Sequence, residues 1–369
     1  RFMNNTGLDH LVRTDLGESI QQALDVVGDA NGDGYVLIGV IANGSGAWGG
    51  NTTQHIEINR AYPVPFGLVG CSVTLHDPDA GDGLPTASIT ASASSPPSSP
   101  ANPSFTGESS IFVMDLHAAD SEVAGWVIEG DNRELRNVGT TRNVTGVVIL
   151  GDNNTMHNGS ATRNATIGVD VQGSGNLLET VQAMANGSFG IRVSGTSNTI
   201  YQGKVGDRRK GNGSDGISLT GTGHLVRENT VYANGGNGIF ATGTNHQLLK
   251  NTTGGAGKGN ALTGILVQGS GNLLQENRAS ANGDAGFDIS GGTSAAPNRL
   301  GSNSSNVGPS GGTSENLGPE YRLLGVVSSP GGDNKADSVF VPKTSVPVKC
   351  PIFPTTSVTG NFTAPVLCE

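Results

Sequence analysis

Two acidic segments contain the residue types that bind hard cations. The first, DANGDG, matches the first half of a calcium loop, in which alternate oxygen atoms converge on the ion and glycine allows a sharp turn. Position twelve of that loop holds Val40 where a bidentate glutamate belongs, so a plain Asx-Gly turn is the alternative. The second segment, DPDAGDG, has an exposed turn as its alternative. The candidate Ca²⁺ ligands are Asp29, Asn31 and Asp33 in the first segment and Asp77, Asp79 and Asp82 in the second.

Clustered carboxylates are the second kind of chemistry to consider, because a glycosidase needs two of them roughly 5–9.5 Å apart. Glu228 and Glu276 occupy equivalent positions two repeats apart, about 10 Å at ~4.8 Å per strand, with Lys250 between them. A solvated ladder of charges is the preferred interpretation of this group, and we predict no catalytic residue. His224 and His246 share a repeated turn position, so they are interpreted as turn residues and not as metal ligands.

These residues belong to a chain with an internal repeat. The hexamer G-φ-x-φ-x-G, in which φ is apolar, begins at positions 125, 146, 168, 190, 216, 238, 264 and 286. Asparagine or histidine recurs three residues after the second glycine, and asparagine recurs four residues before the next hexamer. Each repeat therefore predicts a short strand, a glycine turn, a second short strand and an Asn-Gly turn.

The period predicts a stack of coils, because a single repeat of about 22 residues cannot bury its apolar side alone. Alternation along each strand points one set of residues inward, and equal register makes neighbouring strands parallel. Repeated asparagines predict ladders of side-chain amides, and the four extra residues in each of the two longest intervals are placed on loops of the same flank. The expected inward column is Val147, Val169, Ile191, Ile217, Ile239, Ile265 and Phe287.

The repeat GISLTGTGHLVRENTVYANGGN resembles one coil of the right-handed parallel β-helix repeat proteins of the pectate-lyase-like superfamily. The resemblance covers about residues 110–310. It implies an all-β fold, a right-handed parallel β-helix or solenoid with about 22 residues per coil. It implies no single activity, because the superfamily includes polysaccharide lyases, glycosidases, phage tailspikes and adhesins.

Both ends of the chain depart from the repeat. Residues 1–124 are predicted to hold a short N-terminal capping helix within GESIQQALDVV, the first coils, and a Ser/Pro-rich excursion over about 83–110. Residues 125–310 are predicted to form the regular β-helix. Residues 311–369 lose the register and are predicted to form an irregular β-rich region, which serves as a cap or as an assembly segment.

The cysteines and the glycosylation sequons are relevant to the cellular compartment of the protein. Cys350 and Cys368 lie close together in a proline-rich tail, so we expect a disulfide between them, with Cys71 reduced and buried. Among twelve Asn-x-Ser/Thr sequons, Asn51 and Asn361 are the best candidates for glycosylation. Because the chain does not begin with methionine, we expect that a leader was removed or left out of the sequence. Because a disulfide needs an oxidising compartment, we expect an extracellular or cell-surface location.

Composition excludes several classes of protein. The 58 glycines follow no Gly-X-Y period, which excludes collagen. The formal net charge of −10 argues against a nucleic-acid binder, since the 21 basic residues are scattered except for the run 208–210, which is interpreted as a solvated loop. No stretch approaches the ~20 apolar residues that a membrane span needs.

The leading functional hypothesis is a non-enzymatic extracellular structural protein, such as a fibre or surface subunit. Its ends, residues 338–369 above all, would add strands to a neighbouring copy and so form a homopolymer. This hypothesis rests on the regular stack, the small polar outer residues and an aromatic content of only 5%. The alternative is a carbohydrate-binding or polysaccharide-degrading β-helix protein whose partner is an extracellular polysaccharide.

Overall fold

A computed structural model gives the architecture of the chain. It describes residues 8–28, 36–42, 50–59, 62, 64–79, 82–90, 111–293, 295–305, 321–334, 339–341, 357–362 and 366–368. The chain divides into two compact units, residues 1–182 and 183–369. Within each unit, short strands pair in parallel with the equivalent strands of the next coil, which defines a parallel β-helix.

Each regular coil contributes three strands, one to each of three parallel rows. In unit 2, one coil consists of the first strand Ile217–Thr222, the second strand Leu225–Arg227 and the third strand Thr230–Val231. The sequence analysis predicted only the first two strands. The third was missed because it is two or three residues long and contains few apolar residues.

Unit 1 contains the N-terminal elements and the first regular coils. Its helices are the 3-10 helix Thr14–Leu16 and the α-helix Ile20–Val26. Its N-terminal strands are His10–Arg13, Val36–Ile41, Gly50–Thr53, Ile56–Ile58, Phe66–His76, Ala87–Ile89 and Ile111–Ala119. Its regular strands are Ala124–Ile128, Arg133–Arg136, Gly139–Thr141, Thr145–Ile149, Thr155–His157, Ser160–Thr162, Val169–Gln172 and Leu177–Glu179. One more strand, Gln182–Met184, begins at residue 182, which is the last residue of unit 1.

Unit 2 contains five coils with the regular repeat and a C-terminal group of strands. Its first-row strands are Ile191–Thr196, Ile217–Thr222, Ile239–Thr244, Ile265–Ser270 and Phe287–Gly291. Its second-row strands are Thr199–Tyr201, Leu225–Arg227, Gln247–Leu249, Leu273–Gln275 and Asn298–Gly301. Its third-row strands are Lys204–Val205, Thr230–Val231, Thr252–Gly254, Arg278–Ser280 and Ser304–Ser305. The C-terminal strands are Tyr321–Asn334, Val339–Val341, Ser357–Phe362 and Val366–Cys368.

The predicted inward column is confirmed. In unit 2, Ile217 pairs with Ile239, which pairs with Ile265, so the three isoleucines follow one another in adjacent strands. Every residue of the predicted column has a relative exposure of 0%. The apolar interior is therefore built by vertical stacking of equivalent side chains, and each coil completes the core of its neighbour.

Buried polar ladders close the turns beside this core. In unit 2 the Asn229 side-chain amide donates to Asn251, which donates to Asn277, which donates to Asn303, at 2.9–3.0 Å. Two further ladders there occupy the turn positions that the repeat predicted. They comprise Asn186, Asn212, Asn234, Asn260 and Asn282, and Asn198, His224, His246, Asn272 and Asn298.

The N-terminal capping helix is also confirmed. The helix Ile20–Val26 begins after Ser19, whose hydroxyl accepts a hydrogen bond from the Gln22 N–H at 3.3 Å. Its apolar stripe buries Ile20, Ala23 and Leu24. No helix among the described residues is long and apolar enough to cross a membrane.

Two regions hold more regular structure than the sequence predicted. Ala87–Ile89, within the stretch assigned to an excursion, form a strand that pairs with Ala124–Ile128. Tyr321–Asn334 pairs in parallel with both Phe287–Gly291 and Val339–Val341, and Val339–Val341 pairs with Val366–Cys368. The coil pattern thus continues into 311–369, where irregular spacing and the loss of the glycine hexamer hide it from a repeat search.

Candidate acid–base site

The second-row strands of unit 1 bring four ionisable residues together on their outer side. Leu135, Met156 and Leu178 stack inward and are at most 2% exposed. Because side chains alternate along a strand, the residues beside these three point away from the core. The outward residues are Glu134, Arg136, His157 and Glu179, of which the last three are directly aligned in adjacent strands.

His157 is held between two carboxylates. Its Nδ1 lies 2.5 Å from Glu179 Oε2, a hydrogen bond in which the ring N–H donates and the carboxylate accepts. Its Nε2 lies 3.8 Å from Glu134 Oε1, which is beyond hydrogen-bond distance. The Glu179 contact fixes the ring orientation and the tautomer, with the proton of the neutral ring on Nδ1 and with Nε2 facing Glu134.

Glu134 is a buried carboxylate with a paired charge. It is 2% exposed, and its Oε1 forms an ion pair with Arg136 Nε. The Arg136 guanidinium also lies 5.8 Å from the centre of the Phe112 ring, which holds it against the outer surface of the sheet. The Arg136 guanidinium therefore compensates the burial of this carboxylate beside His157.

A second acid–histidine pair lies on the preceding coil, in the strand Ile111–Ala119. Burial raises the pKa of Asp115, and a hydrogen bond with Asn137 and the nearby His117 partly oppose that rise. Burial lowers the pKa of His117, and Asp115 opposes that shift. This pair lies at the turn of Asp115, where the strand passes from the second row to the third, so it is separate from the His157 group.

A third charged group in unit 1 is an ordinary surface network. His76 Nδ1 lies 2.6 Å from Asp120 Oδ2, and Arg142 donates to both Asp120 oxygens at 2.6 and 3.0 Å. These bonds lower the pKa of Asp120, the Arg142 hydrogen bond most of all. Both carboxylate oxygens are occupied, so this group stabilises a turn.

The predicted calcium ligands do not converge among the described residues. Asp29, Asn31 and Asp33 lie outside the described residues. Asp77 accepts the Asp79 N–H at 3.2 Å and Asp82 accepts the Leu84 N–H at 2.8 Å, as in ordinary Asx turns. The described part of the chain contains no group of three or more His, Cys, Asp or Glu side chains that could hold a metal ion. Calcium binding stays a prediction.

The charged and histidine groups of unit 2 take the structural roles that were preferred for them. Lys250 Nζ lies 3.6 Å from Glu276 Oε2, and the Gln202 amide donates to Glu228 at 3.1 Å, all with partly exposed side chains. His224 and His246 are fully buried members of an amide ladder. Neither group places carboxylates around a reacting atom.

The described residues include only some of those named in the disulfide and glycosylation predictions. Cys350 lies outside the described residues, while Cys368 and Cys71 are described by their strands alone. Asn51 is exposed, and Asn361 lies in the strand Ser357–Phe362. Six other sequon asparagines are at most 2% exposed and cannot carry glycans in the folded chain: Asn143, Asn164, Asn186, Asn212, Asn251 and Asn303.

Sequence reasoning missed the His157 site although the repeat contains its signal. The carboxylate pair considered from the sequence was Glu228 and Glu276, and the second strands of the earlier repeats were not compared with one another. Glu134 and Glu179 each lie next to a residue of the inward second-strand column, and so does His157. Their side chains were therefore predictable as outward neighbours, but the contact between them depends on rotamers that spacing does not specify.

Residues 104–253 and 208–312 match the family described as the right handed beta helix region, and the chain belongs to this family. The right-handed parallel β-helix predicted from the repeat is thereby confirmed. No curated protein matches the chain in sequence.

Solved structures with a similar fold share little sequence with this chain. The A-module of Azotobacter vinelandii mannuronan C-5 epimerase AlgE4 has 15% identity over 97% of both chains and a TM-score of 0.49. Pectate lyase Pel9A has 13% identity over 82% of this chain and 76% of its own, with a TM-score of 0.47. The Dettilon tailspike protein has 16% identity over 75% of this chain and 56% of its own, with a TM-score of 0.45.

Proposed function

We propose that this protein is an extracellular, carbohydrate-active β-helix protein that cleaves a polysaccharide by proton transfer through His157. The observation that carries the proposal is the placement of one imidazole between Glu179 at 2.5 Å and the buried Glu134 at 3.8 Å. An imidazole oriented through one nitrogen, with its other nitrogen directed to a reacting group, is a common general acid–base arrangement.

The three charged partners of His157 have separate roles in this proposal. Glu179 orients the ring and stabilises the imidazolium that forms when Nε2 takes a proton. Glu134 and Arg136 form a fixed ion pair on the opposite side, which sets the local field without moving. The side chains of His157 and Glu179 are partly exposed, so an extended sugar chain can reach them from the solvent side of the strands.

The structural-protein hypothesis has less support from the described strands. Filament formation required residues 338–369 to add strands to a neighbouring copy. Val339–Val341 and Val366–Cys368 instead pair in parallel with strands of the same chain. Self-association stays a prediction.

A cleavage assay tests the proposed function. The full chain is incubated with a panel of acidic and neutral polysaccharides, and both unsaturated products and new reducing ends are measured. We expect cleavage of at least one polymer, a loss of about 10²–10⁴-fold for His157→Ala, and a smaller loss for Glu179→Gln. Glu276→Gln, which removes an exposed carboxylate in unit 2, is the matched control and should keep full activity. Absence of cleavage across the panel, or full activity of His157→Ala, would refute the proposal.

A further inference from the structure

Two insertion loops lie side by side in unit 2, as the spacing of the repeats predicted. They are the four-residue insertions within the two longest intervals, at residues 207–210 and 255–258. A Cβ built on Gly257 would lie 3.7 Å from Arg208 Nε, so the second loop packs directly against the first. The insertions therefore form one continuous flank and not two separate protrusions.

This flank concentrates positive charge on an acidic protein. The carboxylate of Asp207 lies 3.0 Å from Lys204 Nζ and 3.9 Å from Lys258 Nζ, and three further basic residues follow Asp207 directly in the first loop. The Arg208 N–H and Lys204 hold the pKa of Asp207 below its usual range, so it stays ionised at neutral pH. The local excess is four positive charges, whereas the whole chain carries a formal net charge of −10. The five basic residues are Lys204, Arg208, Arg209, Lys210 and Lys258.

A groove of about 600 Å³ runs beneath the loops, with Arg208 and Lys258 among its lining residues. This volume is in the range of pockets that hold small ligands or sugar units. The ammonium group of Lys258 lies 5.2 Å from the centre of the Tyr232 ring, and this cation–π contact positions the lysine side chain. Apart from three asparagines, the rest of the lining is glycine or alanine, so a ligand can approach the backbone closely.

The side-chain amides that line the groove already form hydrogen bonds within the fold. Asn234 donates one side-chain N–H to the Val205 carbonyl and the other to Asn260 Oδ1, at 3.4 and 2.9 Å. Asn260 repeats the pattern with Val231 and Asn282, at 3.1 and 3.0 Å. Because these donors are used, they offer little to the hydroxyl groups of a neutral sugar. The groove can attract a ligand mainly through the charges of Arg208 and Lys258.

We propose that this groove binds an anionic polysaccharide strand, with sugar carboxylate or sulfate groups seated between Arg208 and Lys258. Guanidinium and ammonium groups are the usual partners of such anions, and Arg208 can bind them through two N–H groups at once. The site shares no residue with the His157 site of unit 1, so it is a separate binding site and does not depend on the proposed cleavage.

Affinity electrophoresis of the full chain tests the site. The gels contain polygalacturonate, dextran sulfate or neutral dextran, and mobility is measured against polymer concentration. We expect retardation by at least one of the two charged polymers and none by neutral dextran, with the first two gels separating carboxylate from sulfate recognition. The double variant Arg208→Ser/Lys258→Ser should bind at least tenfold more weakly. The control Arg163→Asn/Arg299→Ser removes two exposed cations elsewhere and should bind like the wild type.

Three results would overturn the site. The first is absence of retardation by either charged polymer. The second is equal weakening by the groove and control variants, which would indicate non-specific charge attraction. The third is equally tight binding of double-stranded DNA, which would show that the groove does not select sugar polyanions. His157→Ala must retain wild-type retardation, so loss of cleavage and loss of binding can be told apart.

Discussion

The imidazole rings of His224 and His246 stack inside unit 2, with centroids 5.1 Å apart and planes only 4° from parallel. The Asn198 N–H donates to His224 Nδ1 at 3.2 Å, and the His224 N–H donates to His246 Nδ1 at 3.3 Å. Each Nε2 lies 3.2 Å from a carbonyl, that of Thr220 or Thr242. This pattern fits the neutral tautomer with the proton on Nε2, because Nδ1 must accept a hydrogen bond.

This stack predicts a loss of stability at acid pH. Burial lowers the pKa of both rings below the usual 6.5, so the unfolded chain binds more protons than the folded chain at acid pH. The contribution of the two rings to the free energy of unfolding is complete above about pH 6.5, and it decreases as the pH drops toward their folded-state pKa. In thermal unfolding followed from about pH 7.5 to pH 5, the variant His224→Asn/His246→Asn should show a weaker pH dependence than the wild type.

Asparagine is the appropriate replacement, because Asn272 occupies the same turn position of the next coil. Part of the dependence should remain in the variant, since burial also lowers the pKa of His117. An unchanged pH dependence of Tm would mean that the stacked pair does not become protonated during unfolding.

The isoleucine column predicts the most severe single substitution. Ile239 is 0% exposed and lies between Ile217 and Ile265. Ile239→Asp would bury a carboxylate with no cation beside it, and we expect a loss of several kcal/mol or failure to fold. Ile239→Val, which keeps the column apolar, should cost only about 0.5–1.5 kcal/mol. Chemical denaturation compares the two variants, and equal midpoints would contradict the inward register.

The core was predictable from sequence because its signal is repeated. Ile217, Ile239 and Ile265 recur with glycine on both sides, so one register explains every coil. The third strand was not predictable in this way, since a strand such as Thr230–Val231 is too short to show alternation. Its ladder partner Asn229 recurs in later coils, and that spacing would have revealed the turn.

The His157 site shows that the spacing of residues in the repeat does not determine the contacts between their side chains. The outward position of His157 follows from the inward position of Met156. The 2.5 Å bond to Glu179 depends on side-chain rotamers in two coils, which are set by packing and not by the repeat. The strand Tyr321–Asn334 lies in the region that was predicted to be β-rich, but its place in the stack of coils was not predictable, because the glycine pattern disappears while the inward column continues.

The amide ladder predicts that one buried asparagine supports two neighbouring asparagines and one backbone carbonyl. Asn251 is fully buried; its amide donates to the Val226 carbonyl at 2.8 Å and to Asn277 at 3.0 Å, and its oxygen accepts from Asn229. Asn251→Ala leaves these buried groups without partners, so we expect a loss of about 2–4 kcal/mol in urea denaturation. Gln247→Ala, an exposed amide of the same coil, should change stability by less than about 0.5 kcal/mol. Equal effects of the two substitutions would show that the ladder adds little.

Arg322 joins two carboxylates whose pKa values shift in opposite directions. It donates to Asp288 at 2.7 Å and to both oxygens of Asp284 at 2.9 and 3.1 Å. The hydrogen bond from Arg322 lowers the pKa of Asp284. The pKa of Asp288 is raised, because its burial outweighs the attraction of Arg322. Arg322 is therefore needed most by Asp288, the more deeply buried of the two acids.

Replacing this arginine should destabilise the fold in a pH-dependent way. We expect Arg322→Gln to cost about 1–2 kcal/mol near pH 7, less than a fully buried pair would, because all three side chains keep some exposure to water. Loss of the cation raises the pKa of Asp288 further, so the folded variant binds more protons than the unfolded chain above the usual pKa of 3.8. The variant should therefore lose stability as the pH rises through that range, and the deficit should be smallest at acid pH. Adding Asp288→Asn removes the buried charge and should recover most of the loss at neutral pH. A deficit of the same size in the double variant would locate the effect in packing and not in the charge of Asp288.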